Sequence, residues 1–438
     1  MTASYSLPVV TLEPSLCVGC TTCVHNCPTE AIRVRKGKAH ILAERCVDCG
    51  NCVRTCPHGA KKVISDPLSA LGDYRYNIAL AAPSLYAQFD ERFSPSQIAA
   101  GLRELGFHRV EEVAASADIV SAATGRLFDL PGPRPLISSA CPAVLRLVQI
   151  RFPSLIPNLA PLLPPMEVAA LTARLDAPGD PAEVGVFFIG PCAGKVRMSR
   201  ESLGYETSAL SGAISIAEIY VPLLGFLRKE GAAPEPRDED SEGGHAPAGK
   251  GRSWCRPEGE IDCLPGRKAI AATGMEETIA LFEELEQGRL DGIEYIEALG
   301  CPSGCLGGPL AVENPVIARA RIRQAELRGT RSLAASKTVP DEALRWTLEI
   351  EPRPVFVLDR DIGVAMKMMK RSEEIRSALP GLDCGSCGAP TCQALADDIV
   401  LGRASDTDCI FRLRDTVRAL AQRLLSLAEL QPPGLDKE

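Results

Sequence analysis

Two copies of one cysteine motif constrain this chain of 438 residues more than any other feature of its sequence. The motif C-x2-C-x2-C-x3-C-P reads CVGCTTCVHNCP from Cys17 and CVDCGNCVRTCP from Cys46, so each cysteine recurs 29 positions later. Three thiolates on such a tight loop can bind one face of an iron–sulfur cube, while the fourth, next to proline, binds the other cluster. The spacing predicts two [4Fe-4S] clusters, with the ligand sets Cys17, Cys20, Cys23 and Cys56, and Cys46, Cys49, Cys52 and Cys27.

A pair of zinc ribbons is the alternative for this repeat, because zinc sites also use C-x2-C pairs. Zinc does not require the third cysteine of each copy or the Cys-Pro ending, so the spacing favours iron–sulfur clusters. The stretch from about residue 9 to residue 65 resembles bacterial two-cluster ferredoxins. We therefore expect a ferredoxin-like domain over residues 1–76.

A second cysteine group lies near the C-terminus in GLDCGSCGAPTCQALADDIVLGRASDTDC. Its spacing, C-x2-C-x4-C-x16-C, comprises Cys384, Cys387, Cys392 and Cys409. Four thiolates suit either [4Fe-4S] or zinc, and the spacing does not choose between them. The segment resembles a small iron–sulfur domain of anaerobic redox proteins, and this resemblance favours a further [4Fe-4S] cluster.

Four other cysteines share a different context: each follows an apolar, strand-like run and lies in a short loop rich in Gly and Pro. They are Cys141, Cys192, Cys301 and Cys305. Ligands gather at the carboxyl ends of strands in open α/β sheets, so these loops could assemble one more cluster site. The alternative is that each is a small buried hydrophobic residue. Cys255 and Cys263, in SWCRPEGEIDCL, receive no role.

The loops SSACPAV, IGPCAGKV and EALGCPSGCLGG resemble, in this order, the three signature motifs of [FeFe]-hydrogenases. The resemblance implies that Cys141, Cys192, Cys301 and Cys305 bind the [4Fe-4S] part of an H-cluster. It further implies that the Cys305 sulfur bridges to a diiron subcluster carrying CO, cyanide and an azadithiolate. Lys195 would donate a hydrogen bond to a cyanide ligand, a role that suits a compact ammonium group.

The chain departs from catalytic members of that family where protons are handled. They carry a second cysteine directly before the first ligand, and here Ala140 offers no exchangeable side-chain proton. Residues 117–124 correspond to a stretch that ends in a Glu-Glu pair in catalytic members, and here it ends without a carboxylate. Gly190 and Leu299 stand in place of methionines that pack on the diiron site in those members, and RPEGEID replaces a glycine-rich stretch before the third motif. These departures resemble sensory-type members. We therefore expect a slow reaction with H2 in hydrogen or redox sensing. The alternatives are an efficient hydrogenase with another proton route, or an electron-transfer protein that lacks the diiron unit.

Composition bounds the remaining function classes. The net charge of -8 argues against nucleic-acid binding, which needs a basic face. The N-terminus shows no secretory signal, and the longest apolar stretch, AISIAEIYVPLLGFL, is too short to span a membrane. We therefore expect a cytoplasmic protein. Its partners would be H2 and protons, a redox or signalling protein, and the machinery that installs the diiron unit.

The expected fold class is α/β with three parts. A two-lobed α/β H-cluster domain over residues 77–365 follows the ferredoxin-like domain, and a small helical [4Fe-4S] domain over residues 366–438 ends the chain. A polar loop at 231–260, which includes a solvated His245, is expected to be disordered. The last helix carries an apolar stripe at Leu413, Val417, Leu420, Leu424 and Leu427. This stripe would pack on its own domain, bind a partner or pair two subunits in a homodimer.

Overall fold

A computed structural model of the chain describes residues 7–231, 245–246, 250–328, 332–333, 339–355 and 357–428. The described residues form two units. The first unit lies within Met1–Thr11, Cys46–Arg54 and Lys61–Arg353, and the second within Leu12–Arg45, Thr55–Ala60 and Pro354–Glu438. The cysteine repeat contributes segments to both units. The domain boundaries at residues 76 and 365 stay predictions.

The helices and strands of the described residues follow in chain order. The strands are β1 (Val10–Leu12), β2 (Ile32–Arg35), β3 (Lys38–Ile41), β4 (Lys61–Val63), β5 (Tyr76–Ala81), β6 (Arg109–Glu112), β7 (Leu136–Ile137), β8 (Val184–Gly190), β9 (Gly212–Ser215), β10 (His245–Ala246), β11 (Ala269–Thr273), β12 (Tyr295–Leu299) and β13 (Ser332–Leu333). The α-helices are α1 (Thr22–His25), α2 (Asn51–Arg54), α3 (Pro83–Tyr86), α4 (Pro95–Glu104), α5 (Val113–Leu127), α6 (Pro142–Arg151), α7 (Pro165–Leu175), α8 (Ala193–Met198), α9 (Ile216–Glu230), α10 (Met275–Glu286), α11 (Pro315–Arg328), α12 (Ile362–Ala378), α13 (Cys392–Val400) and α14 (Ile410–Ala428). None of the helices in the described part of the chain has the length and apolar character that crossing a membrane requires.

Two parallel sheets organise the first unit. One has the strand order β6–β5–β8–β9 and the other the order β11–β12–β7. Strand β8 reads VGVFFIG and is buried along its whole length, as expected for a parallel strand covered by helices on both faces. The expectation of α/β lobes is thus confirmed by the sheets.

The core of the larger lobe packs helices α4 and α9 against the four-stranded sheet. Helix α4 begins with a capping box in which Ser94 and Gln97 satisfy each other's backbone N–H groups. Gly101 on α4 faces Leu223 and Phe226 of α9, where a Cβ atom would collide with both side chains. The two helices therefore approach closely at this glycine.

The second unit joins an antiparallel β2–β3 hairpin to helices α12, α13 and α14. The buried Arg33 and the half-buried Arg35 of the hairpin bond to Asp398 of α13 at 2.7 and 2.9 Å. Val34 donates its N–H to the Gly388 carbonyl at 2.8 Å. Gly388 has a φ of 78°, and a Cβ there would overlap the Val34 carbonyl, so only glycine fits. The C-terminal cysteine loop is thereby fixed on the hairpin.

One of the alternatives left open by the sequence and one expectation are wrong within the described residues. Helix α14 has no buried residue, and its apolar stripe is exposed, so the stripe does not pack on its own domain. Residues 250–260, which we expected in a disordered loop, are ordered instead. Lys250–Cys255 forms a 3-10 helix, fixed by an ion pair of 2.7 Å between the buried Arg252 and Glu112. Residues 232–244 and 247–249 and the side chain of His245 lie outside the described residues.

Candidate metal centre

The two copies of the N-terminal motif have the same backbone conformation. Left-handed φ angles of 50–70° recur 29 positions apart, at Gly19, Thr21 and Glu30 in the first copy and at Asp48, Gly50 and Gly59 in the second. Cys27 Sγ accepts the Ala31 N–H at 3.1 Å, and Cys56 Sγ accepts the Ala60 N–H at 3.3 Å. Left-handed turns direct successive N–H groups towards an anion. Both copies are therefore built to surround an anionic group.

The structure divides the predicted ligands of the repeat between the units. Cys17, Cys20, Cys23 and Cys56 all belong to the second unit, as does Cys27, whereas Cys46, Cys49 and Cys52 belong to the first. Among the described residues, no three His, Cys, Asp or Glu side chains converge closely enough to hold a single metal ion. A cube instead takes one thiolate at each of its irons. The two ligand sets stay predictions.

The C-terminal group occupies one side of the second unit's core. Cys387, Cys392 and Cys409 pack against an apolar cluster that includes Ile375 and Leu395, and Cys384 is exposed. Burial raises the pKa of the Cys387 thiol, whereas hydrogen bonds from the Ser386 side chain and backbone lower the pKa of Cys384. Gly385 and Gly388 both have positive φ angles, which keep the loop tight.

Three loops of the first unit bring the remaining cluster cysteines together. Cys141 follows β7 and caps α6, Cys192 follows β8 and caps α8, and Cys301 and Cys305 follow β12. All four side chains, together with Lys195, line one cavity, which we call the cysteine cavity. The parallel strands thus place these four cysteines at their carboxyl ends, as the sequence suggests.

The polar contacts around these thiols fit a cube. Gly300 donates its N–H to Cys141 Sγ at 3.4 Å, and a Cβ on Gly300 would lie 2.9 Å from the Met275 sulfur. Arg54 Nη1 donates to Cys301 Sγ at 3.3 Å. N–H donors to cysteine sulfur and close backbone approach are typical of iron–sulfur sites. The four-thiol donor set can therefore hold a [4Fe-4S] cluster.

Burial controls the charges in the cysteine cavity. It raises the pKa values of Cys192, Cys305 and Cys301, the last to about 11, although Arg54 opposes the rise at Cys301. Burial lowers the pKa of Lys195, but the negative charge of the surrounding cysteines in their ionised form, above all Cys305, outweighs this effect and raises the pKa. Ionised cysteines in the cavity therefore favour a cationic lysine, which compensates their negative charge.

Lys195 is free to bind a ligand in the cavity. Its ammonium lies 5.6 Å from the centroid of the Phe188 ring, and no described residue accepts a hydrogen bond from it. Ser84 also lines the cavity, and its buried hydroxyl makes no hydrogen bond with a described residue. Two polar groups thus face a space that an anionic ligand can fill.

Ala140 lies in the cavity wall beside Cys141, as the loop sequence suggests. Trp254, Cys255 and Glu260, to which the sequence assigned no role, also line the cysteine cavity. Cys255 is buried and donates its thiol to the Arg252 carbonyl at 3.2 Å. The segment that we expected to be a disordered loop therefore forms part of the site.

Glu260 begins a buried network that leads away from the cavity. Its carboxylate accepts hydrogen bonds from the Ser138 hydroxyl at 2.7 Å and from the Tyr295 hydroxyl. Its own N–H donates to Glu297 Oε2 at 3.0 Å, and the other Glu297 oxygen is buried without a partner among the described residues. Burial raises the pKa of Glu260 to about 7 and that of Glu297 to about 8. Both carboxyl groups can therefore take up and release protons near neutral pH.

The sequence carried a signal for one of these residues. Glu297 interrupts the apolar run IEYIEALG, and an acidic side chain in a fully buried strand needs a specific partner. Glu260, Ser84 and Arg54 had no such signal, because they reach the site through contacts between distant segments.

Three family models match the chain. The model described as "Iron only hydrogenase large subunit, C-terminal domain" matches residues 75–213. A 4Fe-4S dicluster domain matches residues 9–57, and a putative Fe-S cluster domain matches residues 379–411. The first match contains Cys141, Cys192 and Lys195 of the cysteine cavity, and the other two coincide with the N-terminal repeat and the C-terminal cysteine group.

Curated relatives are similar over parts of the chain. Iron hydrogenase 1 of Clostridium pasteurianum is 26% identical over 183 residues, which cover 38% of this chain and 31% of the relative. The periplasmic [Fe] hydrogenase large subunit of Nitratidesulfovibrio vulgaris is 28% identical over 215 residues, covering 43% and 51%. One component of the ion-translocating oxidoreductase complex of Rhodobacter capsulatus is 46% identical over 50 residues, covering 11% and 27%. The chain thus spans about half or less of each of these relatives.

Among solved structures, a variant of the [FeFe]-hydrogenase HydA1 from Chlamydomonas reinhardtii aligns with a TM-score of 0.47 at 15% identity, covering 66% of this chain and 98% of that one. A HydA structure concerned with stepwise H-cluster assembly aligns at 0.45 and 16% identity, covering 63% and 90%. The family models and the curated relatives thus show that parts of this chain are similar to [FeFe]-hydrogenases and to ferredoxin-type iron–sulfur domains, which supports a hydrogenase-like iron–sulfur protein.

Proposed function

We propose that this chain binds a complete H-cluster in the cysteine cavity and reacts reversibly with H2 to give two protons and two electrons. One observation carries the proposal: four cysteine thiols and the cationic Lys195 line the same cavity at the carboxyl ends of parallel strands. We further propose low turnover, in a hydrogen- or redox-sensing role of the sensory type. Electrons would pass through the [4Fe-4S] clusters to a redox or signalling partner, after dedicated maturation proteins install the diiron unit.

Five residues of the cysteine cavity would bind the H-cluster. Cys141, Cys192, Cys301 and Cys305 would hold the cube, and Cys305 would also bridge to the diiron unit. Lys195 would donate to a cyanide ligand from a position where no described residue competes for its protons. When bound, the diiron unit supplies the polarisation that splits H2. The protein's own task is then to hold this group, to exclude bulk water and to move protons and electrons.

Low turnover follows from the residue next to the first ligand. Ala140 lies in the cavity wall and carries no exchangeable proton, so no side chain at this position can pass protons to the bound group. Gly190 and Leu299 stand where catalytic members of the family carry methionines. These substitutions favour a site that retains H2 chemistry without a fast proton supply.

Infrared spectroscopy tests the proposal. The chain is reconstituted with iron and sulfide and loaded with a synthetic diiron cofactor, and bands from CO and cyanide are sought. We expect these bands in the wild-type protein and their loss in Cys305→Ser, whereas Cys263→Ser, outside the ligand set, should retain them. If protein with a full complement of iron–sulfur clusters gives no such bands, the chain is an electron-transfer protein instead.

A second candidate function, an efficient hydrogenase with another proton route, is favoured by Glu260. This carboxyl group lines the cavity, is hydrogen-bonded to Tyr295 and Ser138, and has a pKa of about 7. Turnover of H2 separates the candidates. High wild-type turnover that collapses in Glu260→Gln would establish the second candidate, whereas slow wild-type turnover would support the sensory function.

A further inference from the structure

Arg54 connects the second cysteine motif to a ligand of the cysteine cavity. It ends helix α2, between the predicted ligands Cys52 and Cys56. Its guanidinium Nη1 donates to Cys301 Sγ at 3.3 Å and to the Gly307 carbonyl at 3.4 Å. Its Nη2 donates to Asn51 Oδ1 at 3.1 Å, which orients the group within its own motif. A cationic donor from one cluster motif thus contacts the sulfur that would bind the next cluster.

We infer that Arg54 is a positioning residue that raises the reduction potential of the cube bound by the cysteine cavity. The inference rests on the proposed function, because it requires that Cys301 binds a [4Fe-4S] cluster. In the step concerned, an oxidised 2+ cube takes up one electron and becomes the 1+ cube. The ferredoxin-type cluster of the second motif would be the donor of that electron, and the same transfer would run in reverse when H2 is oxidised.

The direction of the effect follows from charge. Reduction adds one negative charge to the cube and its thiolates, and a cation with a hydrogen bond to a ligand sulfur stabilises the more negative state. Arginine suits this position because its planar fork holds several donors and keeps its charge at every relevant pH. It can therefore bond to the sulfur and to the neighbouring carbonyl together.

The segment that carries Arg54 is fixed within the first unit. Asp48, in the same motif, forms a fully buried ion pair of 2.7 Å with Arg197, which also donates to the Cys46 carbonyl at 3.1 Å. Gly50 has a φ of 70° and contacts Pro309 so closely that a Cβ would overlap the proline ring. The backbone that carries Arg54 is therefore fixed close to Cys301, which favours a lasting contact between the guanidinium and the Cys301 sulfur.

The repeat provides a natural comparison. The residue 29 positions before Arg54 is His25, which lies at the same place in the first copy. Its imidazole contacts Gly385, between Cys384 and Cys387 of the C-terminal group, within the second unit. In both copies, the side chain at this position thus lies against another cysteine loop, but only the second copy supplies a permanent cation there.

The test is a redox titration of protein reconstituted with iron and sulfide but without the diiron unit. Electron paramagnetic resonance follows the reduced cube, whose signal is assigned by its loss in Cys301→Ser. The variants are the neutral Arg54→Gln and Arg54→Met, the cationic Arg54→Lys, and His25→Gln as the matched control. Iron content is measured alongside, so that a variant that loses the cube is recognised.

We expect the neutral variants to weaken reduction of the cube by at least about tenfold in equilibrium constant, which is about 59 mV for one electron. Arg54→Lys should give a smaller shift, and His25→Gln should leave this cube at the wild-type potential. A wild-type potential in a neutral variant that retains the cube overturns the inference. Absence of any signal removed by Cys301→Ser, in fully reconstituted wild type, would instead contradict the cluster assignment of the proposed function.

Discussion

At the scale of single residues, the proton chemistry of the cysteine cavity depends on which side chains can carry a proton. Ala140 cannot, although it lies beside the predicted ligand Cys141. Glu260 can, since burial raises its pKa to about 7 while hydrogen bonds from Tyr295 and Ser138 oppose the rise. The chain thus lacks a proton carrier next to Cys141 and has one elsewhere in the lining of the same cavity.

Replacing Ala140 with cysteine should raise H2 turnover, because a thiol next to Cys141 supplies the missing exchangeable proton. A positioned acid–base group contributes about 10²-fold or more to proton transfer. H2 evolution by protein with the diiron unit installed, as judged from its infrared bands, checks the increase. Ala140→Ser is the control, since a hydroxyl of much higher pKa should give a smaller gain. Equal rates in wild type and Ala140→Cys would show that this position does not limit turnover.

The raised pKa of Glu297, about 8, makes stability depend on pH. Its carboxyl group binds a proton more tightly in the folded chain than in the unfolded chain, where the pKa is 4.5, so folding is favoured at low pH. This contribution is lost as the pH rises through about 8. We expect the thermal midpoint of the reconstituted protein to fall between about pH 5 and about pH 9.

Glu297→Gln, which is neutral at every pH, should reduce this fall, because ionising Glu297 costs up to about 5 kcal/mol of folding free energy at the high-pH end. Thermal unfolding followed by circular dichroism at a series of pH values measures the difference. The exposed Glu230→Gln provides the control and should follow the wild-type profile. Parallel profiles for wild type and Glu297→Gln would mean that Glu297 ionises normally in the folded chain.

At the scale of secondary-structure elements, the C-terminal cysteine loop depends on the β2–β3 hairpin. Asp398 of α13 bonds to two arginines of β2, and both Asp398 and Arg33 are only 5% exposed. Breaking a buried ion pair leaves an uncompensated charge, which costs more than the intact pair contributes. The pair therefore fixes α13, which begins at Cys392, relative to the hairpin.

Asp398→Asn should destabilise the second unit by about 3–5 kcal/mol, because Arg33 is left buried without its counter-charge. Chemical denaturation of the reconstituted protein and the retention of iron by the C-terminal site measure the loss. Asp415→Asn, at an exposed position of α14, makes the same change of charge without breaking a buried ion pair. It should therefore leave the stability unchanged. Equal stability of the two variants would contradict the role of the buried pair.

At the scale of the whole molecule, the predicted ligand sets place sixteen of the 18 cysteines at four sites. The predicted cofactors are four [4Fe-4S] clusters, two of ferredoxin type, one in the cysteine cavity and one at the C-terminus. The exposed stripe of α14, Leu413 to Leu427, is a predicted contact for a partner or a second subunit.

Reconstituted protein should contain four irons for each of the four clusters and little zinc, because the cysteine spacings favour cubes. Cys392→Ser should lower the iron content by about one cluster and leave the infrared bands of the cysteine cavity unchanged. Elemental analysis by mass spectrometry measures both metals. Cys263→Ser, outside every predicted ligand set, should retain full iron. Stoichiometric zinc that disappears in Cys392→Ser would identify the C-terminal group as a zinc site.

The sequence by itself determined the cysteine repeat and the three strand-to-loop transitions that carry Cys141, Cys192, Cys301 and Cys305. These features are local: the spacing of thiols on a short loop and the apolar period of a buried strand are written in consecutive residues. Ala140 belongs with them, because its position beside a ligand is fixed by the chain itself. The order of the motifs along the chain was likewise sufficient for the family resemblance.

Only the tertiary structure decided which distant residues meet. Glu260 and Cys255 enter the cavity wall because Lys250–Cys255 is helical and is fixed to Glu112 through Arg252. Arg54 reaches Cys301 across 247 positions of sequence. No local pattern encodes such contacts, since hydrogen-bond partners and burial depend on how sheets and helices pack. For the same reason, burial and neighbouring charges set the pKa values of Glu260, Glu297 and Lys195, whereas residue type alone would leave all three near their ordinary values.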